Sequence, residues 1–364
     1  MEIKYKNKKT LDEILEKSKN FKREPLVSGN QNSLLLNGDN FEGLSFLLQN
    51  GYEGKIDLIY IDPPFNTNQE FFTSESRCQS ISMSKNGVLA YSDKFSLDEY
   101  LEFIRERTIL MHRLLSEKGS FYFHIDTKMG HYCKLIFDEI FGKENFINDI
   151  TRIKSNPKNF NRRAYGNEKD VILFYVKKRG NNLWQNVTFP LTEDEIKKRY
   201  TKKDENGFYT TIPLHAPGET TNGVTGQPWR GMLPPPGRHW RTDPSEFDKL
   251  DAQGLIEWSS TGNPRIKKYA TDHKGKKIQD VWLFKDPQYP LYPTQKNEEM
   301  LRLIIQQSSD ENSIVLDCFA GSGSTLVAAE SLRRKWIGID SSMEAIKTIK
   351  DRLKNTDFIE YDLV

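Results

Sequence analysis

Hydrophobic residues in this chain form two kinds of pattern, short continuous runs and spacings of three and four. The continuous runs predict buried strands at 33–36, 55–61, 120–125, 170–176, 313–317 and 336–340. The helical spacings predict helices at 41–48, 97–115, 300–305, 324–334 and 346–349. Strands and helices alternate, which is typical of an open α/β sheet with helices on both faces.

The alternation is interrupted in the middle of the chain. Residues 181–284 consist of short segments rich in Gly, Pro and aromatic residues, including GQPWRGMLPPPGRHW at 226–240. We therefore predict one doubly wound α/β domain in two parts, 29–180 and 285–364, with 181–284 as an inserted domain. The polar, lysine-rich residues 1–28 are predicted to be an appended arm.

Cysteine usage and hydropathy indicate the environment of the protein. Cys78, Cys133 and Cys318 are an odd number at wide spacing without a CxxC pair, which argues against a disulfide framework and a structural zinc. No window resembles a membrane span, and the amino terminus lacks the apolar core of a signal peptide. We expect a protein of the reducing cytoplasm, with no membrane partner.

Net charge is only +2, but its distribution is uneven. Residues 151–180 contain nine Lys and Arg residues and two acidic ones. Such a stretch is able to neutralise phosphates, and it is equally typical of a solvated loop.

A glycine-rich turn, IVLDCFAGSGST at 314–325, lies between a predicted strand and a predicted helix. Glycines let backbone approach a ligand closely, and Asp340, at the end of the next strand, is placed to accept hydrogen bonds from ribose hydroxyls. Leu326 stands where a dinucleotide fingerprint has its third glycine or alanine, which disfavours NAD. A nucleoside cofactor is favoured, and a simple helix-capping turn is the alternative.

A second motif, Asp62-Pro63-Pro64-Phe65, follows directly on the predicted strand 55–61. Two prolines end the strand, and open α/β sheets bind ligands at such carboxyl ends. A carboxylate, proline carbonyls and an aromatic face suit a planar amine. The alternative is a tight exit from the strand without a chemical role.

Together the two motifs resemble the amino-methyltransferases of DNA. The order DPPF, irregular segment, TQK at 294–296 and FAGSG at 319–323 resembles the β class of these enzymes. The phrase YIDPPFNT is similar to the modification subunits of type III restriction systems. The resemblance implies a doubly wound, Rossmann-like methyltransferase fold that depends on S-adenosyl-L-methionine and is circularly permuted, so that strand 33–36 follows strand 336–340 in space.

The resemblance also assigns the parts of the chain. Residues 29–180 and 285–364 become the catalytic domain, and 181–284 become the target-recognition domain. Catalytic roles fall on the DPPF motif, Asp62, Pro63, Pro64 and Phe65. Cofactor roles fall on Asp39, Thr294, Lys296, Asp317, Phe319, Gly321, Gly323 and Asp340. Asp317 is expected to bind the methionine amino group, and Thr294 and Lys296 its carboxylate, whereas Asp39 is also explained as an ordinary turn aspartate.

The expected reaction is methylation of adenine N6 in double-stranded DNA. The target base has to leave the duplex, and Phe65 is then expected to stack on it while Asp62 accepts hydrogen bonds from N6. The rivals are cytosine N4 methylation by the same fold and an inactive DNA-binding specificity module. The resemblance implies a prokaryotic or phage protein, acting in a restriction-modification system or as an orphan methylase, with a cognate endonuclease and a second copy of the chain as candidate partners.

Basic residues were selected as candidate DNA contacts from the basic stretch and from the insert. They are Arg152, Lys154, Arg162, Arg163, Arg230, Arg238 and Arg241. Trp229 and Trp240 stand beside the arginines of the insert and are also explained as the core of a small domain.

Overall fold

A computed structural model describes most of the chain. The described residues are 3–21, 33–66, 69–73, 88–93, 95–156, 163–220, 222–287 and 295–363. They divide into two compact units, one of 1–187 with 279–364 and one of 188–278.

The helices in chain order, α1 to α9, are Leu11–Asn20, Asn40–Gln49, Leu97–Leu114, Thr127–Phe141, Glu193–Arg199, Pro244–Ala252, Glu298–Ser308, Ser324–Ser331 and Met343–Arg352. The strands, β1 to β19, are Ser33–Asn37, Ile56–Ile61, Gln69–Thr73, Val88–Asp93, Leu115–Ile125, Phe146–Ile153, Lys169–Val176, Thr188–Phe189, Lys202–Asp204, Gly207–Pro213, His215–Pro217, Arg238–Trp240, Ile256–Trp258, Pro264–Tyr269, Lys276–Lys277, Val281–Leu283, Ile314–Asp317, Lys335–Asp340 and Phe358–Asp362.

The first unit is built on a nine-stranded sheet with the order β16-β6-β7-β5-β2-β17-β18-β1-β19. All neighbouring pairs are parallel except the two made by β7. The central strands are buried on both faces, which explains their continuous apolar sequences. The predicted α/β architecture, built on a mostly parallel sheet, is confirmed.

The permuted strand order is present in the sheet. Strand β1 pairs in parallel with β18, with Leu34 opposite Ile337 and Asn37 opposite Asp340. The amino-terminal strand therefore occupies the position beside β18 that the resemblance predicts. Strand β19, which was not predicted, covers the other edge of β1.

Helix α4 and strands β6 and β16 of the first unit were also not predicted. Helix α4 is capped by Asp126, whose Oδ1 accepts hydrogen bonds from the backbone amides of Lys128 and Met129. Strand β6 mixes polar and apolar residues, and β16 is three residues long, so neither forms a continuous apolar run. Strand β5 begins at Leu115, five residues before its predicted start.

The amino-terminal segment differs from the expected appended arm. Thr10 and Glu13 form a capping box at the start of α1, and Ile14 is fully buried in the core of the first unit. The hydroxyl of Tyr5 donates to Glu102, and Lys8 pairs with Glu139 at 2.8 Å. Residues 3–21 are therefore an integral layer of the first unit.

The second unit, 188–278, contains the four-stranded sheet β13-β14-β10-β9 and a small core of its own. The core consists of Leu214, Trp229, Trp240, Phe247, Ile256 and Ile266. Flanks of the predicted insert belong to the first unit, because β16 pairs with β6 and the Gln185 amide donates to the Gln307 carbonyl. Across the described residues, no helix is long and apolar enough to cross a membrane.

Candidate active site

Strand β2 carries the DPPF motif to the carboxyl edge of the sheet, between β5 and β17. The two prolines stop the ladder, and the chain turns at Asn66, whose φ is 54°. The Pro64 carbonyl accepts a hydrogen bond of 2.7 Å from the Tyr100 hydroxyl. Helix α3 therefore holds the motif in place, although Tyr100 was not among the predicted site residues.

The two carboxylate oxygens of Asp62 lie in different surroundings. Oδ2 is 2.5 Å from Nζ of Lys296, which also lies 5.3 Å from the centroid of the Phe65 ring. Oδ1 is buried, has no hydrogen-bond partner among the described residues, and is 3.7 Å from Nδ1 of His124. A buried carboxylate oxygen without a donor is costly, so this atom is an acceptor available to a ligand.

Asp317 ends the neighbouring strand, β17, and is 3% exposed. Burial raises its pKa to about 7, and the nearby carboxylates of Asp62 and Asp340 act in the same direction. Hydrogen bonds from the Thr325 hydroxyl and from the Phe319 amide, the latter at 3.0 Å, oppose this shift only in part. The position therefore favours a cationic ligand that would balance a buried negative charge.

The glycine-rich turn follows Asp317 and leads into α8. Gly321 and Gly323 have φ values of 51° and 73°, in the left-handed region that favours glycine. A Cβ atom on Gly323 would lie 2.8 Å from Cγ1 of Ile349, so the turn has no room for a side chain there.

Asp340 ends β18, the next strand of the sheet. Its carboxylate accepts hydrogen bonds from the Gly321 and Ser342 amides at 2.8 and 2.9 Å. Burial nevertheless raises the pKa of Asp340. A buried carboxylate, Asp317, and a partly exposed one, Asp340, lie on adjacent strand ends with the glycine-rich turn between them. They fit an ammonium group and ribose hydroxyls, which S-adenosyl-L-methionine carries.

Asp39 lies after β1 and caps α2, since Oδ1 accepts hydrogen bonds from the Phe41 and Glu42 amides. Its Oδ2 pairs with Arg107 at 3.0 Å. The next residue, Asn40, donates to the Cys318 carbonyl at 3.0 Å, which ties the start of α2 to the glycine-rich turn. The capping role, left open by the sequence, is therefore present, and half of the Asp39 side chain remains exposed.

Two residues of the first unit that were predicted to contact DNA, Arg152 and Lys154, pair with other residues of that unit. Arg152 is fully buried, donates to the Phe284 carbonyl and forms an ion pair with Asp286. Lys154 pairs with Asp170 at 2.6 Å. The assignment of Arg152 to DNA is corrected, because a fully buried guanidinium does not reach a phosphate.

The other predicted DNA contacts differ in their surroundings. Arg163, Arg238 and Arg241 are exposed. Arg230 pairs with Asp248 and Asp251, and Trp229 and Trp240 belong to the core of the second unit. Arg162 and Thr294 lie outside the described residues.

Comparison with known proteins places the chain in a family. A family model described as "DNA methylase", covering N6 and N4 enzymes, matches residues 56–351, and the chain belongs to this family. Type II methyltransferase M.EcaI of Enterobacter cloacae is 42% identical over 320 residues, covering 86% of this chain and 68% of that protein. The predicted family is confirmed.

Two further comparisons extend the relationship. The Mod subunit of the type III restriction-modification enzyme StyLTI, from Salmonella typhimurium, is 26% identical over 84% of this chain. The chain spans 51% of that subunit's length. The solved PvuII DNA methyltransferase, a cytosine-N4-specific enzyme, matches with a TM-score of 0.50 over 92% of this chain and 90% of that one, at 12% identity, which shows the fold.

The chain is therefore a site-specific DNA methyltransferase related to type II and type III restriction-modification enzymes. Family and fold support S-adenosyl-L-methionine as its cofactor, as the sequence predicted.

Proposed function

We propose that this chain methylates N6 of adenine within a specific DNA sequence. The buried Oδ1 of Asp62 carries the proposal, because this acceptor at the carboxyl edge of the sheet has no hydrogen-bond partner in the part of the chain that the structure describes. An exocyclic amine has N–H groups that satisfy such an acceptor. An Asp rather than a Ser before the two prolines favours adenine by resemblance to the family, and cytosine N4 is the competing target.

The cofactor residues are proposed as the sequence assigned them. Asp317 binds the methionine ammonium, Asp340 the ribose hydroxyls, and Phe319 with the Gly321 and Gly323 backbone lines the pocket. S-adenosyl-L-methionine, when bound, supplies a methyl carbon activated by a sulfonium leaving group. Lys296, which pairs with Asp62, and Thr294 are proposed for the carboxylate, and Asp39 for the adenine ring of the cofactor.

On the DNA side, the target base leaves the stack at a cost of a few kcal/mol and enters the site. Phe65 stacks on its ring, and Asp62 holds the amine so that the nitrogen lone pair faces the methyl group. Proton loss from the methylated nitrogen is favourable once positive charge has developed there, so Asp62 acts mainly by orientation.

The raised pKa of Asp317 makes cofactor binding depend on pH. Only the ionised carboxylate attracts the ammonium, which remains charged below its own pKa of about 7.7 to 8.0. Affinity for the cofactor should therefore fall about fivefold from pH 7 to pH 6 and about tenfold per unit below that. Titration calorimetry with S-adenosylhomocysteine measures this, and Asp317→Asn should remove the dependence.

The raised pKa of Asp317 affects the stability of the cofactor-free protein in the opposite direction: lowering the pH weakens cofactor binding but stabilises the fold. A carboxyl group whose folded-state pKa lies above its unfolded value of about 3.8 stabilises the fold below that value, and this contribution is lost as pH rises through about 7. Asp317→Asn should therefore raise the melting temperature of the free protein at pH 8 more than at pH 5. Equal changes at the two pH values would contradict the assignment of the shift.

We propose the second unit, with Arg163 of the first, for DNA contact and target recognition. Replacing the exposed Arg238 and Arg241 together by alanine should make the negative slope of log affinity against log salt concentration shallower by about two, one for each lost phosphate contact. Arg230→Ala is the matched comparison, because Arg230 already pairs with Asp248 and Asp251. Fluorescence anisotropy with a duplex at several salt concentrations gives the slopes, and unchanged slopes would remove these residues from the DNA surface.

We also propose that the modified sequence is one that a cognate restriction endonuclease cuts, with a second copy of the chain as a further candidate partner. Sequencing that detects modified bases, applied to DNA from cells expressing the wild type or Asp62→Ala, tests site specificity. One modified adenine motif, present only with the wild type, is expected. A modified cytosine motif would overturn the base assignment, and no modification would overturn the proposed function.

A further inference from the structure

A row of polar side chains crosses four adjacent strands behind the DPPF motif. Starting one strand from the sheet edge formed by β16, these are Arg152 on β6, Asp170 on β7, His124 on β5, and Tyr60 with Asp62 at the end of β2. His124 and Arg152 are fully buried, and Asp170 is 2% exposed. Buried strands of this kind are otherwise apolar, and burying an ion pair costs more than an apolar replacement would. The row therefore requires an explanation other than stability.

Contacts within the row orient the His124 ring. Its Nε2 is 3.3 Å from Oδ2 of Asp170, and its Nδ1 is 2.8 Å from the Tyr60 hydroxyl. Asp170 is held in turn by Lys154 at 2.6 Å, with Arg152 at 3.7 Å. Burial alone would raise the pKa of Asp170, but His124 and Lys154 lower it below its usual value, so Asp170 is an ionised acceptor.

This arrangement selects one tautomer of His124. Burial lowers the pKa of His124, and the ring is neutral with a single N–H. An ionised Asp170 only accepts, so the proton is on Nε2. Burial raises the pKa of Tyr60 well above its ordinary value, and its neutral hydroxyl donates to Nδ1. The side of the ring that faces Asp62 therefore carries no donor.

The tautomer of His124 affects the surroundings of Oδ1 of Asp62, which lies 3.7 Å from Nδ1 of His124. With the opposite tautomer, the N–H at Nδ1 would donate to the Tyr60 oxygen, 2.8 Å away, and the hydroxyl proton of Tyr60 would turn to Oδ1 of Asp62 and compete for it. We propose that His124, oriented by Asp170, is a positioning residue that keeps Oδ1 of Asp62 free to accept the N–H of the target amine. The inference rests on the proposed function. It gives Asp170 a role in the reaction, and it gives Lys154 and Arg152, which were candidate DNA contacts, the role of holding Asp170.

The first test separates the hydrogen bond from the space that His124 fills. Gln and Met have similar length and volume, but only Gln keeps a donor for Asp170 and an acceptor for the Tyr60 hydroxyl. In the Met variant the Tyr60 hydroxyl loses its acceptor and turns to Oδ1 of Asp62. In single-turnover methylation, normalised to active sites by titration with S-adenosylhomocysteine, His124→Met should be slower than wild type by on the order of 30-fold, within the range for a misplaced reacting group. His124→Gln should recover most of that loss.

The KM for DNA and the affinity for S-adenosylhomocysteine should change less than twofold in both variants. His112→Gln is the control, because His112 is a half-buried histidine of the first unit that packs on Phe141 in the last turn of α3, beside the amino end of β5. It should retain the wild-type rate. Equal rates for the Gln and Met variants, or loss of cofactor binding along with the rate, would overturn the proposal.

The second test does not depend on activity. Long-range proton–nitrogen NMR of protein labelled at histidine distinguishes protonated from unprotonated ring nitrogens, and the His124→Gln spectrum assigns the signals. Wild type should show an unprotonated Nδ1, and Asp170→Asn, whose amide is able to donate to Nε2, should show a protonated Nδ1 and a slower single-turnover rate. A protonated Nδ1 in the wild type would overturn the proposal even if methylation proceeds, whereas absent methylation with the expected tautomer would instead count against the proposed function.

Discussion

Replacement of Asp62 by alanine is expected to abolish methyl transfer while leaving cofactor binding intact. The change removes the carboxylate of the DPPF motif, whose Oδ1 has no hydrogen-bond partner among the residues that the structure describes. Loss of such an oriented group lowers the rate by about 10³-fold. The released Lys296 remains beside Phe65. Single-turnover methylation and calorimetry with S-adenosylhomocysteine measure the two properties separately.

The control for this substitution lies on the same strand. Asp57 is at the opposite end of β2, where its carboxylate accepts a hydrogen bond from Ser116 at 3.0 Å. Asp57→Asn should leave the rate per active site unchanged. If Asp62→Ala lost cofactor binding to the same extent as activity, the division of roles between β2 and β17 would be wrong.

Replacement of Asp317 by asparagine is expected to weaken cofactor binding by about 10²-fold. The buried carboxylate is the proposed partner of the methionine ammonium. Losing one member of a buried, hydrogen-bonded charge pair costs about 2 to 5 kcal/mol, and about 3 kcal/mol corresponds to about 10²-fold at about 1.4 kcal/mol for each tenfold. Asparagine keeps the shape of the side chain and its hydrogen bond from the Phe319 amide. Calorimetry at about pH 7.5, where the wild-type carboxylate is mostly ionised and the ammonium is still mostly charged, gives the largest difference.

Asp310→Asn is the matched control for Asp317→Asn, since Asp310 lies before β17, at the opposite end of that strand. It should bind S-adenosylhomocysteine as the wild type does. An Asp317→Asn protein with wild-type affinity would show that the ammonium is bound elsewhere.

Much of the catalytic framework was predictable from sequence because it depends on local patterns. Strands β2 and β17 are continuous apolar runs that end in recognisable motifs, so the positions of their carboxyl ends were predicted correctly. The position of β1 beside β18 followed from the order of the motifs. These features depend on short segments whose geometry is determined by prolines and glycines.

The partners of individual charged groups were not predictable in the same way. Arg152 is neutralised by Asp286, 134 residues further along the chain, through a contact that β16 creates when it pairs with β6. A count of charges within 151–180 contains no information about that partner. Lys296 likewise lies on Asp62, whereas the family motif alone indicated only the cofactor carboxylate.

His124 did carry a signal in the sequence. It stands in strand β5 among apolar residues that are buried, and a polar residue in such a run needs partners from neighbouring strands. The identity of those partners depends on β7 lying antiparallel beside β5, and that pairing is a long-range property of the fold.

The most direct test of the central claim is the identity of the methylated base. Purified protein would be incubated with unmethylated genomic DNA and S-adenosyl-L-methionine, and the DNA would be digested to nucleosides and analysed by mass spectrometry, with Asp62→Ala as the blank. The account predicts N6-methyladenine with the wild type alone. N4-methylcytosine in its place would contradict the proposal that adenine is the base whose exocyclic amine Asp62 binds.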